Sequence, residues 1–242
     1  MPDHSLEHSE AEALRQSHWE ESYARAENFL FVPDYEVIRF VARYLRKRVD
    51  IDTVQDVLPG AFGNRVLDVG CGLGRNMLFG ERAGLEMYGN DLSQTAIAKA
   101  GDWLSKELGK DMRSRLECRD IRALPWADGF FEHAVSDSVI DSMPFEVALA
   151  GVKEVARVLA PNAYFYCSLI SGDETGRDVE FCSEVLVEGQ HENGTIQSYF
   201  NRGKISQLLE PRFEILDCWL TQVTNVTHGT HHGRWHVVSR RR

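Results

Sequence analysis

The sequence predicts an open α/β fold, in which a mostly parallel sheet carries helices on both faces. Two observations lead to this prediction. Short runs rich in β-branched residues alternate with segments of helical periodicity, and a glycine-rich turn, Gly70 to Gly74, follows the first of the buried runs. Alternation of this kind is typical of parallel strands joined by crossover helices. With 242 residues, of which 43% are hydrophobic, we expect one domain spanning residues 1–242.

The elements before the glycine turn are expected to be helical or irregular. Residues 1–33 are polar and acidic and form an N-terminal segment, partly mobile at its extreme end. A helix is expected over residues 34–48, because Val37, Val41 and Leu45 recur at helical spacing and Asp34 can cap the first turn. Residues 50–63 contain Pro59 and two glycines, and are therefore expected to form a loop.

The remaining elements follow the alternation. We expect strands at residues 65–69, 86–90, 115–119, 131–136 and 164–170, and helices at 75–83, 94–108 and 144–159. Residues 171–200 are predicted to be an insertion on the substrate side, carrying a hairpin, 185–190 with 195–200, around a type I′ turn at Glu192-Asn193-Gly194. A short helix at 204–209 and two antiparallel strands, 213–221 and 234–239, complete the chain.

Composition narrows the class of partner. The formal net charge of −10 disfavours nucleic acid, whose phosphates would be repelled. The five cysteines are scattered without C-x-x-C spacing, which favours reduced thiols over a disulfide framework or a metal site. Neither a secretory signal nor an apolar run of membrane-spanning length is found, so we expect a cytoplasmic protein without a membrane partner. The oligomeric state is left open, with a homodimer as one option.

The glycine turn is the first candidate binding element. Gly70, Gly72 and Gly74 let the backbone approach a ligand closely, because no Cβ stands in the way. Their G-x-G-x-G spacing differs from the G-x-G-x-x-G that holds a pyrophosphate at a helix N-terminus. Asp68, just before the turn, suits a positively charged ligand better than a phosphate. A tight β-α turn without a ligand is the alternative.

Two further acidic residues make a ligand site the better interpretation. Asp91 ends the next predicted strand, where a carboxylate can accept hydrogen bonds from both ribose hydroxyls of an adenosine. Asp120 and Ile121 follow the third strand, and offer a carboxylate for an exocyclic amino group and an apolar face for a purine. Ligands bind at the carboxyl ends of strands in open α/β sheets.

Taken together, these motifs resemble those of the class I, seven-stranded S-adenosylmethionine (SAM)-dependent methyltransferases. The resemblance covers roughly residues 65–169, with Glu132 and Asn162-Ala163 as mild departures. It also rests on the following stretches: Val66–Gly74, Asp91, Asp120-Ile121, Leu124-Pro-Trp126, Phe131–Val135 and Val158–Pro161. It implies a Rossmann-like, doubly wound sheet of order 3-2-1-4-5-7-6 with the last strand antiparallel, and an N-terminal helical lid.

The resemblance also implies a function. SAM is the expected cofactor, S-adenosylhomocysteine the product, and a small molecule the methyl acceptor. The residues expected at the cofactor are Trp19, Tyr23, Asp68, Gly70, Cys71, Gly72, Gly74, Asn76, Asp91, Leu92, Asp120, Ile121, Ser136 and Asp137. Trp19 and Tyr23 suit a sulfonium through their aromatic faces, although aromatic residues four apart on a helix are equally typical of packing.

Candidates for the chemistry of the acceptor lie in two loops. Asp137 and Asp141 follow the fourth strand and are able to hold or deprotonate an acceptor, while Asp141 is also placed to be an acidic residue at a helix N-terminus. His228, His231 and His232 are expected in a loop between the last two strands, as a general base or as plain surface residues. No metal site is expected, because Gly229 and Gly233 disfavour the helix that a His228–His232 pair would need.

Three alternative functions remain open at this point. A nicotinamide-dependent oxidoreductase on a similar fold would need the G-x-x-G ending that the turn lacks. A non-catalytic SAM-binding protein would keep the turn, and a methyltransferase acting on protein or RNA would keep the whole cofactor half.

Overall fold

The computed structural model describes residues 4–58, 63–174, 177–178, 184–188 and 192–242. Its α-helices are α1 (His4–Ala24), α2 (Tyr35–Phe40), α3 (Arg75–Arg82), α4 (Gln94–Leu108), α5 (Phe145–Val158) and α6 (Arg202–Leu209). Its strands are β1 (Arg46–Asp50), β2 (Thr53–Asp56), β3 (Arg65–Val69), β4 (Glu86–Asp91), β5 (Leu116–Cys118), β6 (Phe131–Ser136), β7 (Leu159–Ile170), β8 (Asp173–Glu174), β9 (Arg177–Asp178), β10 (Glu184–Leu186), β11 (Ile196–Ser198), β12 (Phe213–Asn225) and β13 (Thr230–Arg241).

A seven-stranded sheet forms the centre of the molecule, in the order β5-β4-β3-β6-β7-β13-β12. Strands β3 to β7 pair in parallel, whereas β13 is antiparallel to both of its neighbours. Numbered along the seven strands of this sheet, the order is 3-2-1-4-5-7-6. The predicted doubly wound α/β fold and its single antiparallel strand are thereby confirmed.

The sheet is buried on both faces. Along β3, Leu67 packs into a hydrophobic cluster that contains Val152 of α5 and Leu208 of α6. Its neighbour Val66 packs into a second cluster with Phe40 of α2 and residues of α3 and α4. Because successive side chains of a strand point to opposite faces, this division follows from the strand itself. The near-continuous apolar runs of the sequence arise from this two-sided burial.

The predicted helix over residues 34–48 is confirmed as far as Leu45 and is wrong beyond it, and the first part of the predicted loop over residues 50–63 is instead a strand. Asp34 does cap α2, since its Oδ1 accepts the Glu36 N–H at 2.8 Å. The α-helix nevertheless ends at Phe40, continues as one π-helical turn to Leu45, and gives way to the β1–β2 hairpin. Arg46 pairs with Asp56 across this hairpin at 2.7 Å. Both strands of this hairpin are largely exposed and carry few apolar contacts. The spacing of apolar residues is therefore a poor predictor of their secondary structure.

The N-terminal segment and the insertion can be compared with expectation only in part. Residues 4–24 form the helix α1, in agreement with a helical N-terminal segment, and residues 1–3 at the extreme end lie outside the described residues. In the insertion, β10 and β11 form the predicted hairpin, although residues 189–190 of the expected strand lie outside the described residues. The Glu192–Thr195 turn is not type I′, because Glu192 and Gly194 adopt positive φ angles and Asn193 does not.

The last two strands are longer than predicted. Their antiparallel pairing continues to Asn225 and Thr230, so the connecting loop contains only residues 226–229. His231 and His232 therefore lie on β13, and the prediction that they belong to the connecting loop is wrong. Gly229, with φ +67, lies in the short turn that ends the pairing.

Candidate active site

A cavity of about 240 Å³ opens at the carboxyl ends of the central strands. It is lined by residues that follow β3, β4, β5 and β6, by α1 and the segment after it, and by one residue of the insertion. The lining residues are Arg15, Trp19, Tyr23, Asn28, Leu30, Gly70, Cys71, Gly72, Leu73, Arg75, Asn76, Asn90, Asp91, Leu92, Arg119, Asp120, Ile121, Asp137, Ser138, Val139, Ser142, Met143 and Glu192. The predicted cofactor residues are therefore brought together here, with three exceptions described below.

The glycine turn forms one wall of this cavity. Gly70 and Gly72 have φ angles of +67 and +53, which residues with a Cβ rarely adopt. A Cβ on Gly70 would lie 2.4 Å from Val139, and a Cβ on Gly72 would lie 2.5 Å from the hydroxyl of Tyr23. Side chains at either position would clash with their neighbours. The two glycines thus keep the backbone itself at the cavity surface.

Asp91 is held rigidly beside the turn. Its Oδ2 accepts the Gly72 N–H and its Oδ1 accepts the Ser93 N–H, each at 2.9 Å. Burial raises the pKa of Asp91 above its usual value, while these backbone hydrogen bonds oppose the rise. The result is a fixed carboxylate at a strand end. Its remaining lone pairs are suited to accept hydrogen bonds from hydroxyl groups of a ligand.

Asp120 lies at the cavity in contact with two arginines. Its Oδ1 accepts Nε of Arg122 at 2.9 Å, and its Oδ2 accepts from Arg15 of α1. Burial alone would raise the pKa of Asp120, but the hydrogen bonds from Arg122 and the charge of Arg15 lower it below the usual value. Ile121 beside it is buried and offers an apolar surface. The carboxylate that was expected to meet an amino group is thus engaged by the N-terminal helix.

Helix α1 covers the cavity, as the predicted lid would. Glu20 accepts hydrogen bonds from Ser93 Oγ at 2.7 Å and from the Thr95 N–H at 3.2 Å, and so joins α1 to the start of α4. Tyr23 is buried, and burial raises the pKa of its hydroxyl well above the usual value. Trp19 and Tyr23 both line the cavity and pack with Leu73. These contacts show packing, and the role of the two rings toward a sulfonium stays a prediction.

Three predicted cofactor residues lie behind the cavity wall. Asp68 is fully buried and accepts Asn76 Nδ2 at 3.2 Å, and burial raises its pKa to about 7. Gly74 caps α3 with φ +85, against Leu104. Ser136 is buried at the end of β6. These residues support the glycine turn and do not line the cavity within the part of the chain described.

The two aspartates after β6 have different surroundings. Asp137 lines the cavity, where it accepts Arg75 at 2.7 Å and Ser168 Oγ at 2.7 Å. Asp141 is buried away from the lining, and its Oδ2 accepts both the Ile170 N–H at 2.7 Å and Arg234 at 2.8 Å. It does not cap α5, since Pro144 occupies that position. Asp141 thus joins the loop after β6 to β7 and β13.

The three candidate histidines lie on the protruding end of the β12–β13 hairpin. None of them is among the residues that line the described cavity, and His228 and His232 are exposed. The sequence analysis did not single out His236, which is buried in β13. Its Nδ1 lies 2.8 Å from the Tyr166 hydroxyl, and burial lowers its pKa.

Several lining residues were missed by the sequence analysis. Leu73 lies within the glycine motif and Arg75 directly after it. Ser138 and Met143 belong to the loop after β6, where acceptor residues were expected, so position alone could have suggested all four. Nothing in the periodicity of the sequence indicates the other group, which comes from distant segments: Arg15, Asn28, Leu30 and Glu192.

Comparison with known proteins agrees with this geometry. Residues 66–162 match the family model described as "Methyltransferase domain". The structure of a Methanosarcina mazei SAM-dependent methyltransferase is 22% identical and covers 74% of this chain and 92% of its own, with a TM-score of 0.60. Residues 66–162 thus match a methyltransferase domain, and the fold of the chain is the one that SAM-dependent methyltransferase structures share.

Other similar proteins extend the comparison. Burkholderia thailandensis 1,6-didemethyltoxoflavin-N1-methyltransferase, solved with 1,6-didemethyltoxoflavin and S-adenosylhomocysteine, has a TM-score of 0.68 at 16% identity, covering 96% of this chain and 89% of its own. Among curated sequences, 24-methylenesterol C-methyltransferase 2 of Oryza sativa subsp. japonica is 29% identical over 49% of this chain and 32% of its own length. Methyltransferase GfsG of Streptomyces halstedii is 31% identical over 41% and 35%. The chain thus spans about a third of the length of these curated relatives.

Within the described ranges, no group of three or more His, Cys, Asp or Glu side chains is arranged to hold a metal ion. Among the described helices, none combines the length and the apolar character that crossing a membrane requires.

Proposed function

We propose that this protein binds SAM in the cavity at the carboxyl ends of β3 to β6 and transfers its methyl group to a small-molecule acceptor. The observation that carries the proposal is the hydrogen bond from the Gly72 N–H to Asp91, in a turn where Gly70 and Gly72 leave the backbone bare. A hydrogen-bond acceptor for a ribose thus lies against a surface that admits a ligand closely.

The described residues fit this cofactor. Asp91 is suited to the ribose hydroxyls, and Ile121 with Leu92 to the faces of the adenine. Trp19 and Tyr23 present aromatic rings, which attract a sulfonium cation. A pyrophosphate, by contrast, would meet the carboxylates of Asp91 and Asp137 at the same wall. The fit therefore favours SAM over a dinucleotide.

When bound, SAM supplies an activated methyl group whose departure leaves a neutral thioether. The protein then has to align the acceptor and exclude water, and an acid or base is needed only if the acceptor must lose a proton. Helix α1 excludes water from above, through Glu20, Trp19 and Tyr23. The loop after β6 contributes Ser138 and Met143 to the wall available to an acceptor.

A small acceptor agrees with the small molecules in the names of two similar proteins, 24-methylenesterol and 1,6-didemethyltoxoflavin. We assign Asp141 a positioning role, because its carboxylate already accepts the Ile170 N–H and Arg234. His228, His231 and His232 remain candidates for a base, on the ground that the β12–β13 hairpin extends from the carboxyl edge of the sheet.

The proposal is tested by calorimetric titration with SAM, S-adenosylhomocysteine and NADH, using Asp91→Asn and the exposed-site control Asp102→Asn. We expect SAM and S-adenosylhomocysteine to bind wild type and the control alike, and NADH not to bind. Loss of one charge-assisted hydrogen bond, about 1.5–3 kcal/mol, predicts a weakening of SAM by roughly 10- to 100-fold in Asp91→Asn. Undiminished SAM binding in that variant, or binding of NADH alone, would refute the site.

Turnover is tested separately with a broad panel of small molecules, by the release of S-adenosylhomocysteine. Release with at least one member is the expected result. If SAM binds and S-adenosylhomocysteine is released only when a protein or RNA is added, and with no small molecule, the acceptor is a macromolecule and the small-molecule proposal is wrong. Binding without any release would support the non-catalytic alternative.

A further inference from the structure

We propose that the methyl acceptor has an extended apolar part, and that this part binds outside the cavity on the side chains of residues 30–35. The surface in question, the rim surface, consists of the side chains of Leu30, Phe31, Val32 and Tyr35. The inference rests on the proposed function, because it names the class of acceptor that the same site would take.

Exposed apolar side chains are concentrated in the rim surface. Its four members are between 50% and 71% exposed. Twelve large hydrophobic residues of the described chain are exposed, and these four fall within six consecutive positions. Single exposed apolar residues are ordinary on a protein surface, whereas a contiguous group is typical of a surface that binds something. The rim surface therefore indicates a binding role.

The chain beneath the rim surface is held by contacts on its inner side. Phe29 packs against the cluster that joins α1 to the glycine turn. The ring of Phe31 lies edge-on to Trp103 of α4, with the ring centroids 5.1 Å apart, and the carbonyl of Val32 accepts Arg75 at 3.4 Å. These contacts fix the backbone while the apolar side chains face outward. A surface that is already ordered loses little entropy when a ligand binds to it.

The insertion supports the residues just before the rim surface. Glu27 Oε2 accepts the Glu192 N–H at 3.3 Å. Two residues on, Gly194 lies against His18 of α1, so closely that a Cβ would be 2.5 Å from the imidazole. The approach to the rim surface is thus held from the side of the insertion as well as from that of α4.

The rim surface is continuous with the cavity. Leu30 lines the cavity and is also 53% exposed, so its side chain belongs to both surfaces. Arg75, which holds the Val32 carbonyl, lines the cavity too. A ligand that extends out of the cavity beside Leu30 would therefore reach the neighbouring apolar side chains.

The cavity itself has little apolar room for the body of an acceptor. Its lining includes four acidic residues and three arginines, which suit the polar and charged groups of the proposed cofactor. Its volume of about 240 Å³ lies below the roughly 300–1,000 Å³ of common small-molecule sites. Once the cofactor is bound, we expect only the methyl-accepting end of the acceptor to enter. The rest of the molecule then lies at the opening, where the rim surface is.

Two other occupants of the rim surface fit these observations less well. A stable interface between two copies uses about 20–30 residues on each side, whereas the rim surface has four. A bilayer that contains anionic lipids would repel a chain of net charge −10. An apolar part of the acceptor needs neither a large area nor a basic surround.

The test uses probes with a constant head and a growing apolar tail. Protein saturated with S-adenosylhomocysteine is titrated, by ligand-observed NMR, with the methyl, ethyl, propyl and butyl esters of 4-hydroxybenzoate. Each CH₂ removed from water on the rim surface should tighten binding roughly two- to four-fold, which gives about eight-fold or more from the methyl to the butyl ester.

A double variant assigns this rise to the rim surface. In Val32→Ser/Tyr35→Ser the rise should fall to about three-fold or less, because two of the four apolar side chains are removed. The matched control Val49→Ser/Ile51→Ser removes two exposed apolar side chains of the β1–β2 hairpin and should keep the rise. Neither Val32 nor Tyr35 lines the cavity, so the double variant should bind S-adenosylhomocysteine as wild type does, with a similar thermal midpoint.

Several results would overturn the proposal. They are no binding of any ester, equal affinity for the four esters, an equal rise in wild type and Val32→Ser/Tyr35→Ser, or a ten-fold loss of S-adenosylhomocysteine affinity in that variant. A wild-type dimer in analytical ultracentrifugation that the same variant dissociates would assign the rim surface to a second copy. Flotation of wild type, but not of the variant, with vesicles of phosphatidylcholine and phosphatidylserine would assign it to a bilayer. Failure of S-adenosylhomocysteine to bind wild type would instead refute the proposed function itself, and this proposal with it.

Discussion

The buried pair of Asp141 and Arg234 allows a quantitative prediction about stability. Oδ2 of Asp141 accepts both the Arg234 guanidinium and the Ile170 N–H, and the Asp141 side chain is only 1% exposed. Asp141→Ala leaves a largely buried cation and a backbone donor unpaired, which costs about 3–5 kcal/mol. For a chain of this size each kcal/mol lowers the thermal midpoint by roughly 2–4 °C, so a fall of about 6–20 °C is expected.

Asp141→Asn should be milder, for a reason visible in the geometry. Both hydrogen bonds end on the same oxygen, and the single carbonyl oxygen of asparagine can accept both. What is lost is the charge, and the new amide group must be accommodated in a buried position, so a cost of about 1–3 kcal/mol is expected. The exposed-site control Asp102→Ala should stay within about 0.5 kcal/mol of wild type.

Urea denaturation of each variant, monitored by circular dichroism, measures these differences. Adding Arg234→Met to Asp141→Ala removes the unpaired cation, and the double variant should recover more than about 1 kcal/mol relative to the sum of the single changes. If Asp141→Ala lost less than about 1 kcal/mol, or if the two changes were additive, the Asp141–Arg234 pair would not anchor the loop after β6.

Two further predictions concern the glycine turn and the residue behind it. Gly72→Ala places a Cβ 2.5 Å from the Tyr23 hydroxyl and should weaken SAM binding more than ten-fold in calorimetry. The control Gly109→Ala has a similar φ and open space around the Cβ, so it should affect only stability, and equal SAM affinity in the two variants would contradict the close approach. For Asp68, burial raises the pKa to about 7, so the folded chain keeps a proton that the unfolded chain releases near pH 4. Stability should therefore fall as pH rises from about 4 to 7, and Asp68→Asn should gain thermal midpoint over wild type across that window and keep the gain at higher pH. Parallel midpoint curves for the two proteins would show that Asp68 titrates normally.

The cofactor side of the site could be predicted from sequence because it is local. Gly70, Gly72 and Asp91 follow directly after buried strands, and parallel strands bring their carboxyl ends to one edge. The positions of the buried strands could also be predicted from sequence, since burial on both faces gives continuous apolar runs. The β1–β2 hairpin was missed because its exposed strands have no such run.

The acceptor side was not predictable in the same way. Glu192 belongs to the insertion predicted on the substrate side, but which residue of that insertion lines the cavity depends on tertiary contacts, such as that between Gly194 and His18, and the same holds for Leu30 after α1. Asp141 was predicted as a site residue from its position after β6. Its carboxylate is instead held by Arg234, which lies 93 residues later in the chain. No periodicity or spacing rule connects such distant pairs.

The contact between α1 and the insertion has a consequence for engineering and for the evolution of specificity. The turn at Glu192 rests on Glu27 and His18, which belong to or follow the N-terminal helix. An insertion transplanted from a relative would lose both supports unless its own N-terminal helix came with it. The two segments, more than 160 residues apart in the chain, should therefore be exchanged as one unit when a chimera with a new acceptor is built.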